Sequence, residues 1–268
     1  MNSDTAPRMR LKIEADLHYR LDEPAPVLLQ LEAAQLPDQL LVEDRLTVSS
    51  DETLVRIGGE CGVGVRCWAW AGGEFSVRYD ATMDVLPRKV DLAGMRRDPM
   101  HALDASVVPF LWPSVYCPAN DFQLFVDRQF DGHDGGDRIE RMVAWLREQI
   151  DYRSGTSDAT TTATESFVRR AGVCRDFAHL LITFARAGGI PARMVSAYAL
   201  DLQPPDFHAV VEVWLDGAWH LVDPTGLADV AGLVRIGVGR DATDISFMTI
   251  WGCAGLVAQS VSVRRVDG

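Results

Sequence analysis

The sequence predicts an α+β protein: an antiparallel β domain over residues 1–97, then a domain over 98–268 with helices first and an antiparallel sheet after them. Two observations carry this. Up to about residue 90 the chain reads as partly alternating apolar and polar runs broken by Asp, Glu and Gly, which is the signature of half-buried strands. Further on the apolar spacing becomes helical, and from residue 192 it returns to that of strands, without the βαβ alternation of a parallel sheet.

Taken in order, "RLKIEADLHYRL", "QLLVEDRLTVSS", "GVRCWAWAG" and "EFSVRYDATMDV" are the strands of the first domain, and "GGEF" at 72–75 reads as a hairpin turn between the last two. Pro87 to Pro118 is a charged, Pro-punctuated transition, and "DGHDGGD" at 131–137 is a loop leading into a helix. In that helix Ile139, Met142, Val143, Leu146 and Ile150 fall on one face. A short helix near 160–170 ends before Gly172. The next helix starts at Cys174, carries Phe177, Leu180, Leu181, Phe184 and Ala185, and is stopped by Gly188, Gly189 and Pro191. "ARMVSAYAL", "HAVVEVWL", "AWHLVDP", "LVRIGVGR" and "VAQSVSVRRV" are the strands that follow.

Composition bounds the function. The chain is 268 residues long, 47% hydrophobic and 24% charged, which is ordinary for globular domains. No apolar run has the length of a membrane span and the N-terminus lacks a signal-peptide core, so a soluble, cytoplasmic protein is expected. A formal net charge of −12 argues against nucleic acid or an anionic membrane as partner. Five cysteines without CxxC spacing, at 61, 67, 117, 174 and 253, fit reduced thiols better than a disulfide framework or a zinc site.

Cys174 stands out among them. A helix N-terminus favours thiolate over a free thiol of pKa about 8.5. His208 opens the strand "HAVVEVWL", and Asp216-Gly217 between two strand-like runs signals a two-residue hairpin. That register pairs Leu215 with Ala218, Glu212 with Leu221 and Val210 with Asp223. Because side chains alternate, Asp223 becomes a diagonal neighbour of His208 on one face. If the helix start meets that face, the result is Cys174 as nucleophile, His208 as proton shuttle and Asp223 as the group that orients the imidazole. The amide of Cys174 then serves as an oxyanion donor.

Three segments, "AGVCRDFAHLLITFARAGGIPARMVSAYA", "DFHAVVEVWLDGAWHLVDPTG" and "RIGVGRDATDISF", together resemble the bacterial transglutaminase-like superfamily. The resemblance covers roughly the last hundred residues with high specificity, and the N-terminal strands more weakly. It implies a papain-like core and thiol acyl transfer on amides, and it places the family's Cys, His and Asp on Cys174, His208 and Asp223. It implies a peptide or amide substrate. No calcium-loop pattern is present, so neither metal nor cofactor is expected.

Three functions follow as expectations. The first is a cysteine protease or amidase that works through a thioester. The second is a transglutaminase, which gives the same thioester to an amine. The third is a non-catalytic binding or scaffold protein of the same fold. Among neighbouring residues, Asp176 is read as structural at the helix start, His179 as making a packing or polar contact, and Cys117 as a rival thiol without a helix start or a local partner. Tyr116 and Asn120 are placed as candidates for the cleft wall, with the loops at 110–136 and 200–207. Glu212 is placed on the catalytic face, biasing its charge or pointing to solvent at the cleft edge. The glycines of "GGECGVG" precede a strand rather than a helix, so no nucleotide loop is read there.

Overall fold

The computed structural model of the chain describes residues 8–50, 52–88 and 90–266. The first sheet is built on two long strands, β1 (Met9–Leu29) and β4 (Val65–Val85), with β2 (Gln39–Val48) and β3 (Val55–Gly58) on the far side of β4. Alternation decides which face is buried. Leu11, Ile13, Ala15 and Leu17 point into the core, with Lys12, Glu14 and Asp16 between them. The antiparallel register sets Ile13 against Ala81 and Leu17 against Val77, so the apolar faces of both strands coincide.

No hairpin forms at "GGEF". Residues 65–85 run as one strand along β1, and the register steps from Leu21 opposite Gly73 to Ala25 opposite Ala71. Residues 22–24 of β1 bulge there, at a proline that has no N–H for the ladder. A Cβ on Gly72 would lie 3.1 Å from the Pro24 side chain. The glycine therefore permits close approach of the bulge, a role that looks the same in sequence as a turn glycine.

The helical region opens with an element the periodicity does not reveal, α1 (Gln123–Gln129), followed by α2 (Gly135–Gln149), the two-residue β5 (Asp151–Tyr152) and α3 (Ala163–Arg169). α2 buries Ile139, Met142, Val143 and Leu146, as its spacing requires. Thr162 and Glu165 form a reciprocal cap on α3, in which Glu165 accepts the Thr162 N–H at 2.8 Å. After β6 (Ala171–Gly172) comes α4 (Cys174–Ala187), which is buried on all sides from Asp176 to Arg186. A helix apolar around its circumference becomes the centre of a core.

The second sheet contains β7 (Ala192–Ala199), β8 (His208–Leu215), β9 (Ala218–Val222) and β10 (Leu233–Gly239), in the antiparallel order β10-β7-β8-β9. Phe177, Leu181 and Phe184 of α4 share one core with Met194, Val211 and Val213 of this sheet. The chain then passes through α5 (Ala242–Ile245) to β11 (Met248–Ile250) and β12 (Ala254–Arg265). Both of these strands pair with β1, β11 along 27–29 and β12 along 11–21.

That pairing crosses the division expected at residue 97. Residues 248–265, assigned in sequence to the second domain, complete the first sheet. Strand periodicity reports a half-buried strand but not the sheet it joins, and β12 has 12 residues of edge to offer to either. The two sheets also share a core: the rings of Tyr79 and Tyr198 stack at 6.1 Å, and Val234 and Ile236 pack with Leu11, Ile13 and Met83.

Candidate active site

Cys174 is the first residue of α4, and the backbone before it is held by the side chain of Asp176. That carboxylate accepts the Val173 N–H at 2.8 Å and the Ser157 hydroxyl at 2.5 Å. Gly172 is obligatory here, because a Cβ would sit 2.6 Å from the Cβ of Asp176. Asp176 is thus structural as expected, but it acts as a clamp on the helix entry as well as a charge at the dipole.

The β8–β9 hairpin follows the register read from sequence. Asp216 and Gly217 both have positive φ, at 47° and 75°, which is the backbone of a type I′ turn. Leu215 faces Ala218 and Glu212 faces Leu221. The ladder ends at Val211 and Val222, so Asp223 lies one residue past it, where its chain turns toward His208. The Nε2 of His208 and the Oδ2 of Asp223 are 3.0 Å apart, with the two residues 2% and 5% exposed. The other ring nitrogen, Nδ1, makes no bond to Asp223, and Cys174 lies close enough to the ring to raise its basicity.

The electrostatics follow from these contacts. Burial alone would lower the basicity of His208; hydrogen bonds to Asp223 and Cys174, with their charges, outweigh it and raise the imidazole to about 9. Burial would likewise raise the Asp223 carboxyl, but His208, the Thr225 hydroxyl (2.7 Å) and the amides of Thr225 and Ala228 (both 2.9 Å) hold it below its ordinary value. A carboxylate with this many donors stays ionised and fixed in orientation.

Tyr152 is a neighbour that sequence reasoning missed. The short β5–β6 ladder sets it opposite Gly172, its ring lies 6.0 Å from that of Phe177, and its hydroxyl lies beside Cys174. Burial and the adjacent thiol push that hydroxyl up to about 12. A two-residue strand has no periodicity to read, so nothing local announces it.

Cys174 and His208 open onto a cleft of about 680 Å³ between the two sheets. Its wall includes Tyr116, as expected, and Asp206 and Phe207 of the 200–207 loop. Asn120 is exposed and takes no part. Much of the remaining wall is the segment 242–250, and Gln259 of β12 contributes as well, so the first sheet helps to shape the site.

Glu212 corrects the sequence reading. It shares the His208 face but is fully buried, paired with Arg193 at 2.7 Å and Arg235 at 3.0 Å, far from any solvent edge. Cys117 is buried with its thiol pushed up to about 12 by burial, and His179 is buried, stacked on Tyr116 at 5.0 Å and pushed down to about 3 by burial. Among the described residues no group of three or more His, Cys, Asp or Glu is arranged to hold a metal ion, and no helix is long and apolar enough to cross a membrane.

Comparison with known proteins shows the family and the fold. The core profile of the transglutaminase-like superfamily matches residues 126–224, a span that contains Cys174, His208 and Asp223. A crystal structure of a candidate cysteine protease from Cytophaga hutchinsonii superposes with a TM-score of 0.90 at 31% identity, over 97% of this chain and 92% of that one. The uncharacterized protein ML0607 of Mycobacterium leprae is 31% identical over 149 residues, 51% of this chain and 52% of that protein. The uncharacterized protein Rv2569c of Mycobacterium tuberculosis is 36% identical over 123 residues, 40% of this chain and 39% of that protein. The match thus spans about half the length of these mycobacterial relatives or less. With a near-complete structural match above 30% identity and the core profile laid over the same residues, the chain belongs to the transglutaminase-like superfamily.

Proposed function

We propose that the protein is a thiol-dependent hydrolase of amide or peptide bonds, with Cys174 as nucleophile, His208 as acid–base and Asp223 as the orienting carboxylate. One observation carries the reading: a buried imidazole lies 3.0 Å from an ionised carboxylate and lines the same cleft as a cysteine at the first position of a buried helix. As an imidazolium at neutral pH, His208 is the counter-charge for a Cys174 thiolate.

The thiolate attacks the carbonyl carbon and the carbonyl π pair moves to oxygen. The Cys174 amide and the Tyr152 hydroxyl flank the place where this oxyanion forms. Collapse breaks the C–N bond, His208 delivers its proton to the departing amine, and a thioester remains. His208, now neutral, takes a proton from water, whose oxygen attacks the thioester; the acid leaves and the thiolate and imidazolium are restored. An amine in place of that water would give transfer instead. A peptide or amide substrate met in the cytoplasm, without nucleic acid or membrane, fits five free thiols and a net charge of −12.

The test has two stages. Iodoacetamide labelling with peptide mapping compares Cys174 with the exposed Cys61 and Cys253 in the same protein. Cys174 should react far faster, and its advantage should vanish in His208→Ala. A synthetic peptide library with a fluorescent primary amine present should then yield free acid in a Cys174-dependent way. Amine adducts in place of acid would convert the assignment to acyl transfer. Turnover that survives Cys174→Ala would sink the thiol mechanism altogether.

A further inference from the structure

A column of four aromatic rings runs from the first sheet to the cleft. Tyr79 stacks on Tyr198 at 6.1 Å, Tyr198 meets Phe207 at 5.7 Å, and Phe207 stacks on Phe247 at 4.5 Å with the planes 9° apart. The inner half is fixed in the core. Both tyrosines are fully buried; the Tyr79 hydroxyl accepts the Ala33 N–H at 2.9 Å, and the Tyr198 hydroxyl donates to the Leu31 carbonyl at 2.8 Å. The outer half is open. Phe207 and Phe247 are only half-buried, and both line the cleft that Cys174 and His208 share.

Met248 and Ile250 pack with the two phenylalanines and line the same cleft, so the column ends in an apolar corner rather than as isolated rings. The corner is tied down from behind, because the Phe247 carbonyl accepts the Gln30 N–H of the first sheet at 2.9 Å. It also lies beside the chemistry: Phe207 immediately precedes His208, which places their Cα atoms about 3.8 Å apart. Rings that face a cavity stay hydrated, and an apolar side chain that displaces this water gains with every methylene it buries; two or three methylenes amount to about a 10- to 100-fold preference. Arg175 and Asp206 line the cleft as well, so a charged side chain is the competitor that the rings have to outdo.

We propose that Phe207 and Phe247 are specificity-determining residues, which form a pocket for an aromatic or branched aliphatic side chain on the substrate residue next to the scissile amide. This rests on Cys174 being the reacting thiol. A largely apolar wall sorts side chains by the apolar surface they bury, while a few polar groups at the reacting end fix orientation.

The experiment labels Cys174 with two matched sets of probes, N-acetyl-aminoacyl chloromethyl ketones and chloroacetyl-aminoacyl amides, each carrying alanine, leucine, phenylalanine or lysine. In every case the Cys174 sulfur displaces chloride, and the rate is read by peptide mapping and divided by that of a small thiol in solution. Iodoacetamide, which brings no side chain, reports in each protein whether the thiol is still reactive. In one of the sets the wild type should favour leucine and phenylalanine over alanine and lysine by about 10- to 100-fold. Phe247→Ala should reduce that preference by about 3- to 10-fold, and Phe247→Leu, which keeps an apolar wall, should retain most of it. Ratios near one in both sets, lysine ahead of leucine, or a leucine preference untouched in Phe247→Ala each overturn the pocket, while iodoacetamide labelling leaves Cys174 as the reactive thiol. Failure of iodoacetamide and of every probe to label Cys174 in the wild type overturns both.

Discussion

The two ends of the β8–β9 region hold two buried carboxylates with opposite fates. Near the turn, Glu212 is bracketed by Arg193 and Arg235, and Arg235 is bound in turn to Asp38, in the turn just before β2 of the first sheet. At the open end, Asp223 meets His208, backbone amides and a threonine hydroxyl. The Glu212 partners carry charges that do not move, so that end ties the sheets together. The single ionisable partner of Asp223 is an imidazole, whose proton can leave and return. Near-equal burial on one hairpin yields a fastener in one place and a proton relay in the other, and the partner decides which.

That contrast is open to direct attack. The largest effect is expected from exchanging one residue at each end. His208→Gln should lower kcat/KM by about 10³- to 10⁴-fold, with a smaller fall in the thermal midpoint than at the other end, because Asp223 keeps its hydroxyl and amide donors. Glu212→Gln should do the converse: leaving two buried arginines short of a counter-charge costs about 3–5 kcal/mol, a fall on the order of 10 °C by calorimetry, with turnover at lower temperature largely retained. If both variants lose activity and stability together, the two ends are one structural unit and the distinction collapses.

A smaller effect belongs to Tyr152. Tyr152→Phe keeps the ring against Phe177 and removes the hydroxyl near the Cys174 amide, so kcat should fall by about 10²-fold with KM little changed. A rise in KM alone would make Tyr152 a substrate contact instead.

The smallest and most specific effect is on pH dependence. His208 must hold a proton for the leaving amine, and its pKa is raised to about 9, so kcat/KM should fall as pH rises through about 9. Asp223 is one of the groups that raise it. Asp223→Asn should therefore move the alkaline limb to lower pH, besides lowering the rate. The sign for stability is the same: a raised histidine stabilises the fold fully below its unfolded value near 6.5, and this contribution is lost as pH rises through about 9. An alkaline limb unmoved in Asp223→Asn would show that another group carries the proton.

Much of the site was legible because its parts are local. Asp216-Gly217 selects a tight turn, the turn sets a register, and the register brings residue 223 beside residue 208, all within twenty residues of chain. Cys174 at a helix start is likewise readable from the apolar spacing after it and the glycines that end it. What escaped is non-local. Tyr152 reaches Cys174 through a two-residue ladder, Glu212 finds its second arginine 23 positions away, and Gly72 answers to a proline 48 positions earlier.

The sequence by itself determined the α+β class, most of the strands and helices in their order, the hairpin register and the candidate trio Cys174, His208 and Asp223. Each rests on side-chain periodicity or turn chemistry acting over a few residues. Only the tertiary structure decided that β11 and β12 return to the first sheet and that this return walls the cleft. Alternation records that one face of a strand is buried. Which surface does the burying depends on how distant segments share a limited core, and no single stretch of chain contains that information.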